Sequence, residues 1–165
     1  MPHEPSALDS VQLGAYFALM EVAGLLRHAV EQQLREDGDL SYVQFQVLAR
    51  LGLDSPTGSE RMTDLADGVV YSRSGLTYQA GLLEKAGLVA RGPSADDERS
   101  VTVTITEAGR ALVAQVIPGH VEVVRQQLLA PLTAGDVETL GALLSPVRAH
   151  MRAAPPRSAG SRRGR

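Results

Sequence analysis

Residues 72–106 read SRSGLTYQAGLLEKAGLVARGPSADDERSVTVTIT, and a change of period inside this stretch decides the fold. The first half is helical. Leu76, Ala80 and Leu83 recur at helical spacing on one face, with Ala86 or Gly87 completing it, while Arg73, Ser74, Thr77, Tyr78 and Gly81 project from the other. Ser72 can cap the start, and Gly87 supplies a left-handed stop. The second half alternates instead: Val101, Val103 and Ile105 interleave with Thr102, Thr104 and Thr106, the period of a half-buried strand. Leu88 to Arg91 is its extended partner, and the acidic run GPSADDE is the turn between them. Leu83, Leu88, Val101, Val103 and Ile105 are assigned to the core.

Working upstream, Thr63 can cap a short helix from Asp64 to about Val69, joined by a tight turn to the helix that Ser72 opens. Before it, DSPTGSE reads as a polar loop, and Ser41 with Gln44 three residues on forms a capping box for a helix running to about Leu53. From Leu8 to Leu34 apolar residues recur in two adjoining rows, so one long helix buries more than one face before EDGDL breaks it. Downstream, Thr106 caps a helix from Glu107 to about Leu129, with a kink expected at Pro118-Gly119. Pro131 and Thr133 precede a last helix carrying Val137, Leu140, Leu144 and Met151, perturbed by Pro146. Helix, helix, turn, longer helix and hairpin is the order of a winged helix-turn-helix. The predicted class is therefore mainly α (α+β), with that lobe at residues 41–106 flanked by long helices at 10–36 and 107–151. Residues 1–9 read as a flexible start, 10–152 as a single domain and 153–165 as a disordered, Arg-rich tail.

The chain's 165 residues suit one domain. The absence of Cys excludes disulfides, thiolate metal sites and Cys nucleophiles. Glu21 and Arg27 interrupt the most apolar region, so no membrane span is expected; the opening lacks the pattern of a secretory signal, which makes cytoplasmic residence the default. His3, His28, His120 and His150 stand singly, without ligand spacing, and neither a metal nor a cofactor is expected. No G-x-S-x-G, H-E-x-x-H, P-loop or G-x-G-x-x-G occurs, so no catalytic residue is assigned. The net charge of −3 hides an asymmetry: 15 of the 16 cations are Arg, six of them from Arg148 to Arg165, while residues 41–106 hold six bases against eight acids.

The stretches SRSGLT at 72–77, LLEKAGLVAR at 82–91 and DERSVTVTIT at 97–106 resemble the MarR family of bacterial transcription regulators over roughly residues 10–151. The resemblance implies a homodimer built from the first and the last two helices, a pseudo-palindromic double-stranded DNA operator and a small effector, with repression as the expected outcome. It also implies that Ser72, Arg73, Ser74 and Thr77 read a groove or hold phosphates, with Tyr78 where the family commonly has Arg. Asp97 and Arg99 correspond to the wing Asp-x-Arg, whose guanidinium suits a narrow minor groove. Glu98, Tyr78 and the pair Gly81-Leu82 depart from the family pattern toward fewer basic groups, so fewer phosphate contacts should follow.

Several assignments stay open at this level. Asp97 and Arg99 could be a hairpin ion pair alone, and Tyr78 could pack rather than touch DNA. Tyr16, Phe17, Met20, Tyr42 and Phe45 are either core or the lining of a pocket for an aromatic or phenolic effector. The tail arginines, or Arg148 and Arg152 before them, would add nonspecific attraction to DNA. The rival to a sequence-specific regulator is a winged-helix module for protein assembly, which the acidic charge of the lobe favours.

Overall fold

The computed structural model describes residues 7–94 and 100–153. The expected flexible start, the wing tip with Asp97 and Arg99, and the Arg-rich tail therefore lie wholly or largely outside the described residues. Six helices and three short strands follow in the order α1 (Ser10–Gly38), α2 (Tyr42–Ala49), β1 (Ser59–Arg61), α3 (Met62–Gly68), α4 (Arg73–Lys85), β2 (Val89–Pro93), β3 (Val101–Ile105), α5 (Glu107–Val124) and α6 (Ala134–Ala153). π-helical turns extend α2 through Arg50–Asp54 and α5 through Arg125–Leu129. This is a winged helix-turn-helix lobe carried between long helical arms.

Local hydrogen bonds set most boundaries. Ser41 and Gln44 form the expected reciprocal capping box, and Asp9 and Gln12 form another at the start of α1. Ser72 accepts from the Gly75 N–H, and Thr106 accepts from that of Gly109. The Thr106 hydroxyl in turn donates to the Gly87 carbonyl at 2.7 Å, so the cap of α5 is fastened to the end of α4. Thr63 does not cap α3: Arg61 occupies the N-cap position without a side-chain capping bond, and the Thr63 hydroxyl turns to Asp64. Helices α5 and α6 run on through Pro118 and Pro146.

The sheet corrects one reading. Ser59 and Glu60, expected as the end of a loop, form with Arg61 a strand that pairs antiparallel with β3 (Glu60 opposite Val103), giving a three-stranded sheet in the order β1-β3-β2. Three residues without alternation carry no strand signal, and the pairing is made 45 positions away, where the Ser59 and Thr104 hydroxyls meet at 2.6 Å. The core gathers Leu34, Leu48, Leu51, Leu65, Leu76 and Leu83, with Val103 and Ile105 from β3. Val101, expected in this core, is 43% exposed because it pairs with Pro93 at the distal end of the hairpin. Leu88 is only partly buried, and Ala86 is exposed.

Helix α1 is buried only toward its C-terminal end, at Val30, Gln33 and Leu34; Val11, Phe17, Met20 and Leu25 are exposed, as are Leu143, Val147 and Met151 of α6. By length and composition alone α1 is apolar enough to cross a membrane, so Glu21 and Arg27 do not interrupt its apolar run as far as expected. Exposed apolar surface of this extent equally marks a helix that packs against another subunit.

Both helices of the helix-turn-helix end in the same hydrogen-bonded turn. After α4, Leu88 N–H bonds to the Leu83 carbonyl and Gly87 N–H to that of Glu84, with Gly87 at φ +73°. After α3, Tyr71 N–H bonds to Ala66 and Val70 N–H to Asp67, but the left-handed position, φ +55°, is held by Val70. A β-branched side chain there is strained by about 1–2 kcal/mol. Val70→Gly is expected to raise stability by a net of about 1 kcal/mol, and Gly87→Ala to lower it by a similar amount, each moving the melting temperature by about 2–4 °C in opposite directions. Thermal melts of the two variants check the pair.

Candidate nucleic-acid interface

Helix α4 is amphipathic for a structural reason that leaves its other face free. Leu76, Ala80 and Leu83 are buried against the lobe, while Ser72, Arg73, Ser74, Thr77 and Tyr78 are all exposed, Tyr78 to 66%. The five residues thus lie together on the exposed side of the helix's N-terminal half. Short hydroxyls beside a guanidinium suit base edges and phosphate oxygens, because they approach closely and can donate or accept. The Thr77 hydroxyl donates back to the Arg73 carbonyl at 2.9 Å, which fixes its rotamer and leaves its methyl and lone pairs outward.

The wing is braced against this helix. Glu84 of α4 accepts from the Arg91 backbone N–H at 3.0 Å and from its guanidinium at 2.6 and 2.9 Å, which holds the carboxyl below its usual pKa range. The guanidinium passes about 3.8 Å from where a Cβ on Gly81 would stand, an ordinary contact, so the clamp does not depend on glycine at that position. Ser94 N–H bonds to the Ser100 carbonyl at 2.9 Å, closing the hairpin at the base of its tip. Asp97 and Arg99 belong to that tip and lie outside the described residues.

Two of the lobe's cations are committed to the fold. Arg91 holds Glu84, and Arg50 holds Glu60 at 2.8 Å, joining the end of α2 to β1. Arg152, near the end of α6, donates to the Gly68 carbonyl at 3.3 Å and so ties the last helix to the end of α3. The sequence reading passes over Tyr71, which stands at the start of α4 with its ring against Gly75. The spacing Tyr71-x-x-x-Gly75, one helical turn with no side chain to obstruct the ring, is the signal that could have found it.

The five effector candidates are not brought together within one chain. Phe45 is core, its ring packed at a tilt against His120 with centroids 4.7 Å apart; burial lowers the His120 pKa. Tyr42 is partly buried beneath the Arg27 guanidinium, 5.1 Å from its ring. Tyr16 and Phe17 touch each other, at 5.3 Å between centroids, and with Met20 they are more than half exposed. At about 1.5 Å per residue these three lie roughly 10–17 Å along α1 from the level of Arg27. A cleft of about 330 Å³ opens at the α1–α2 junction, lined by Glu31, Arg35, Asp39, Leu40, Ser41 and Tyr42, so it shares only Tyr42 with the candidate set. Among the described residues no cluster of His, Asp or Glu could hold a metal.

No protein-family model matches the chain. The regulator PecS of Dickeya dadantii, an HTH-type transcriptional regulator, is 32% identical over 112 residues, which is 68% of this chain and 67% of that protein. Among solved structures, Sco3205 of Streptomyces coelicolor, a MarR family transcriptional regulator in complex with DNA, superposes with a TM-score of 0.85 and 30% identity, covering 92% of this chain and 94% of that one. AbsC from the same organism, also a MarR family transcriptional regulator, gives 0.82 and 30% over 90% and 99% of the two chains.

Proposed function

The chain belongs to the MarR family of transcriptional regulators, and from that premise we propose that it acts as a homodimeric repressor whose two α4 helices read a pseudo-palindromic operator. It is a DNA-binding transcription regulator rather than a winged-helix assembly module. Ser72, Arg73, Ser74, Thr77 and Tyr78 form its base- and phosphate-contacting face, with Asp97 and Arg99 at the wing reaching an adjoining groove. The observation that carries this reading is the exposed polar face of α4 laid over a fully buried Leu76, Ala80 and Leu83. The exposed apolar surfaces of α1 and α6 support assignment of α1, α5 and α6 to the subunit interface, and cytoplasmic residence accompanies that role. A small aromatic or phenolic effector would act from the α1–α2 cleft beside Tyr42, between the dimer arm and the lobe.

Selection from a random pool of duplexes, followed by footprinting and a solution mass, tests the proposal. Two related half-sites centred about one helical turn apart, roughly 10 base pairs, bound on one face by a particle of twice the chain mass, are the expected result. A single-subunit mass on the selected duplex, or enrichment of a site lacking two-fold symmetry, refutes the dimeric reading.

A further inference from the structure

The reading helix has few free cations with which to hold the DNA backbone. Arg50 and Arg91 are bound by Glu60 and Glu84, and Lys85 lies in the last turn of α4, at the opposite end from Ser72. Beside the exposed Arg73 guanidinium, what surrounds the first turn is hydroxyls. Ser72 Oγ already accepts the Gly75 N–H, and the Thr77 hydroxyl already donates to Arg73.

Tyr71 differs from both. Its backbone N–H is anchored on the Ala66 carbonyl at 3.0 Å, and its ring lies so close over α4 that a Cβ on Gly75 would stand 2.6 Å from Cε1 and 3.2 Å from Cδ1. Glycine at a helical position is about 1 kcal/mol poorer than alanine, so this seat for the ring comes with a local penalty. Backbone and ring are thus both held, yet the residue is 40% exposed and its hydroxyl has no hydrogen-bond partner among the described residues. A packing role alone would bury the residue; here the fold holds one edge of the ring against α4 and leaves two-fifths of the residue exposed.

We propose that Tyr71 is a DNA-contact residue, seated in the notch at Gly75 so that its hydroxyl donates a hydrogen bond to a backbone phosphate beside the first turn of α4. The proposal rests on α4 being the DNA-reading helix. A phenol is uncharged at neutral pH, so this contact adds affinity without displacing a counterion, unlike one from Arg or Lys. It is a backbone contact and carries no sequence preference.

The test titrates the full chain and its Tyr71→Phe, Gly75→Ala and double variants against two duplexes, one selected from a random pool and one scrambled to the same length and composition, over a range of salt. Tyr71→Phe keeps the ring and removes only the hydroxyl. It is expected to weaken binding to both duplexes about tenfold for each subunit, about a hundredfold for the dimer, as the loss of a hydrogen bond to a charged acceptor does, with the salt slope unchanged. Gly75→Ala keeps the hydroxyl and displaces the ring, and is expected to give a similar loss, with the double variant no weaker than the worse single. Unchanged affinity in Tyr71→Phe, a loss confined to the selected duplex, or an altered salt slope overturns the proposal. Arg73→Ala, measured alongside, separates the two levels: if it binds as wild type does, the α4 reading itself falls, whereas an impaired Arg73→Ala beside an unimpaired Tyr71→Phe removes only Tyr71. Thermal melts establish that each variant is folded, and Tyr71→Phe carries the test should Gly75→Ala unfold.

Discussion

Arg73→Ala is expected to weaken operator binding by about 2–6 kcal/mol, because a specific side-chain contact is worth about 1–3 kcal/mol and a dimer makes it in both half-sites. The guanidinium stands exposed in the first turn of α4, immediately after the Ser72 cap. A cation at the positive end of a helix dipole stabilises nothing locally, so removing it should leave the melting temperature level or slightly raised. Loss of affinity without loss of stability is therefore the signature. Gel-shift titrations with the selected duplex, beside a melt of the free protein, measure both. A fall of less than about threefold would remove Arg73 from the reading set.

Leu76→Ala should act from the other side of the same helix. Leu76 is fully buried within the cluster that joins α2, α3, α4 and β3. Truncating a buried leucine costs about 2–5 kcal/mol, through lost transfer free energy and the cavity left behind. A drop in melting temperature on the order of 10 °C is expected. Specific DNA binding should weaken with it, since the orientation of the exposed face depends on the packing of the buried one. A Leu76→Ala protein as stable as wild type would mean that α4 does not pack as described. Together the two variants separate what α4 does for DNA from what it does for the fold.

The exposed face of α4 could be read from the sequence because every part of the inference is local. A 3.6-residue period places Leu76, Ala80 and Leu83 together, Ser72 and Gly87 bracket the segment, and whatever remains points outward. The same holds for the capping box at Ser41 and the cap at Thr106. Reasoning of this kind failed where the partner lies far along the chain. Nothing in Ser59–Arg61 announces a strand, because its stability comes from β3. Val101 keeps the alternation of a core strand but sits beyond the end of the core it would join. Tyr16, Phe17 and Met20 share the apolar character of Tyr42 and Phe45, but α1 is too long to bring them to the same place within one subunit.

The identity and order of the helices and of the β2–β3 hairpin, and the chemical character of the reading face, were determined by the sequence alone, since periodicity, caps and turns are set by residues within a few positions of one another. Only the tertiary structure decided which charges and rings are available to a partner. Arg50 and Arg91 look like free cations in the sequence and are occupied by Glu60 and Glu84 in the fold, while Tyr71, unremarkable in the sequence, is held at the rim of α4 by the missing side chain of Gly75. The reason is physical: a side chain's availability depends on what packs beside it, and the packing of distant segments is specified by the whole core rather than by any local pattern.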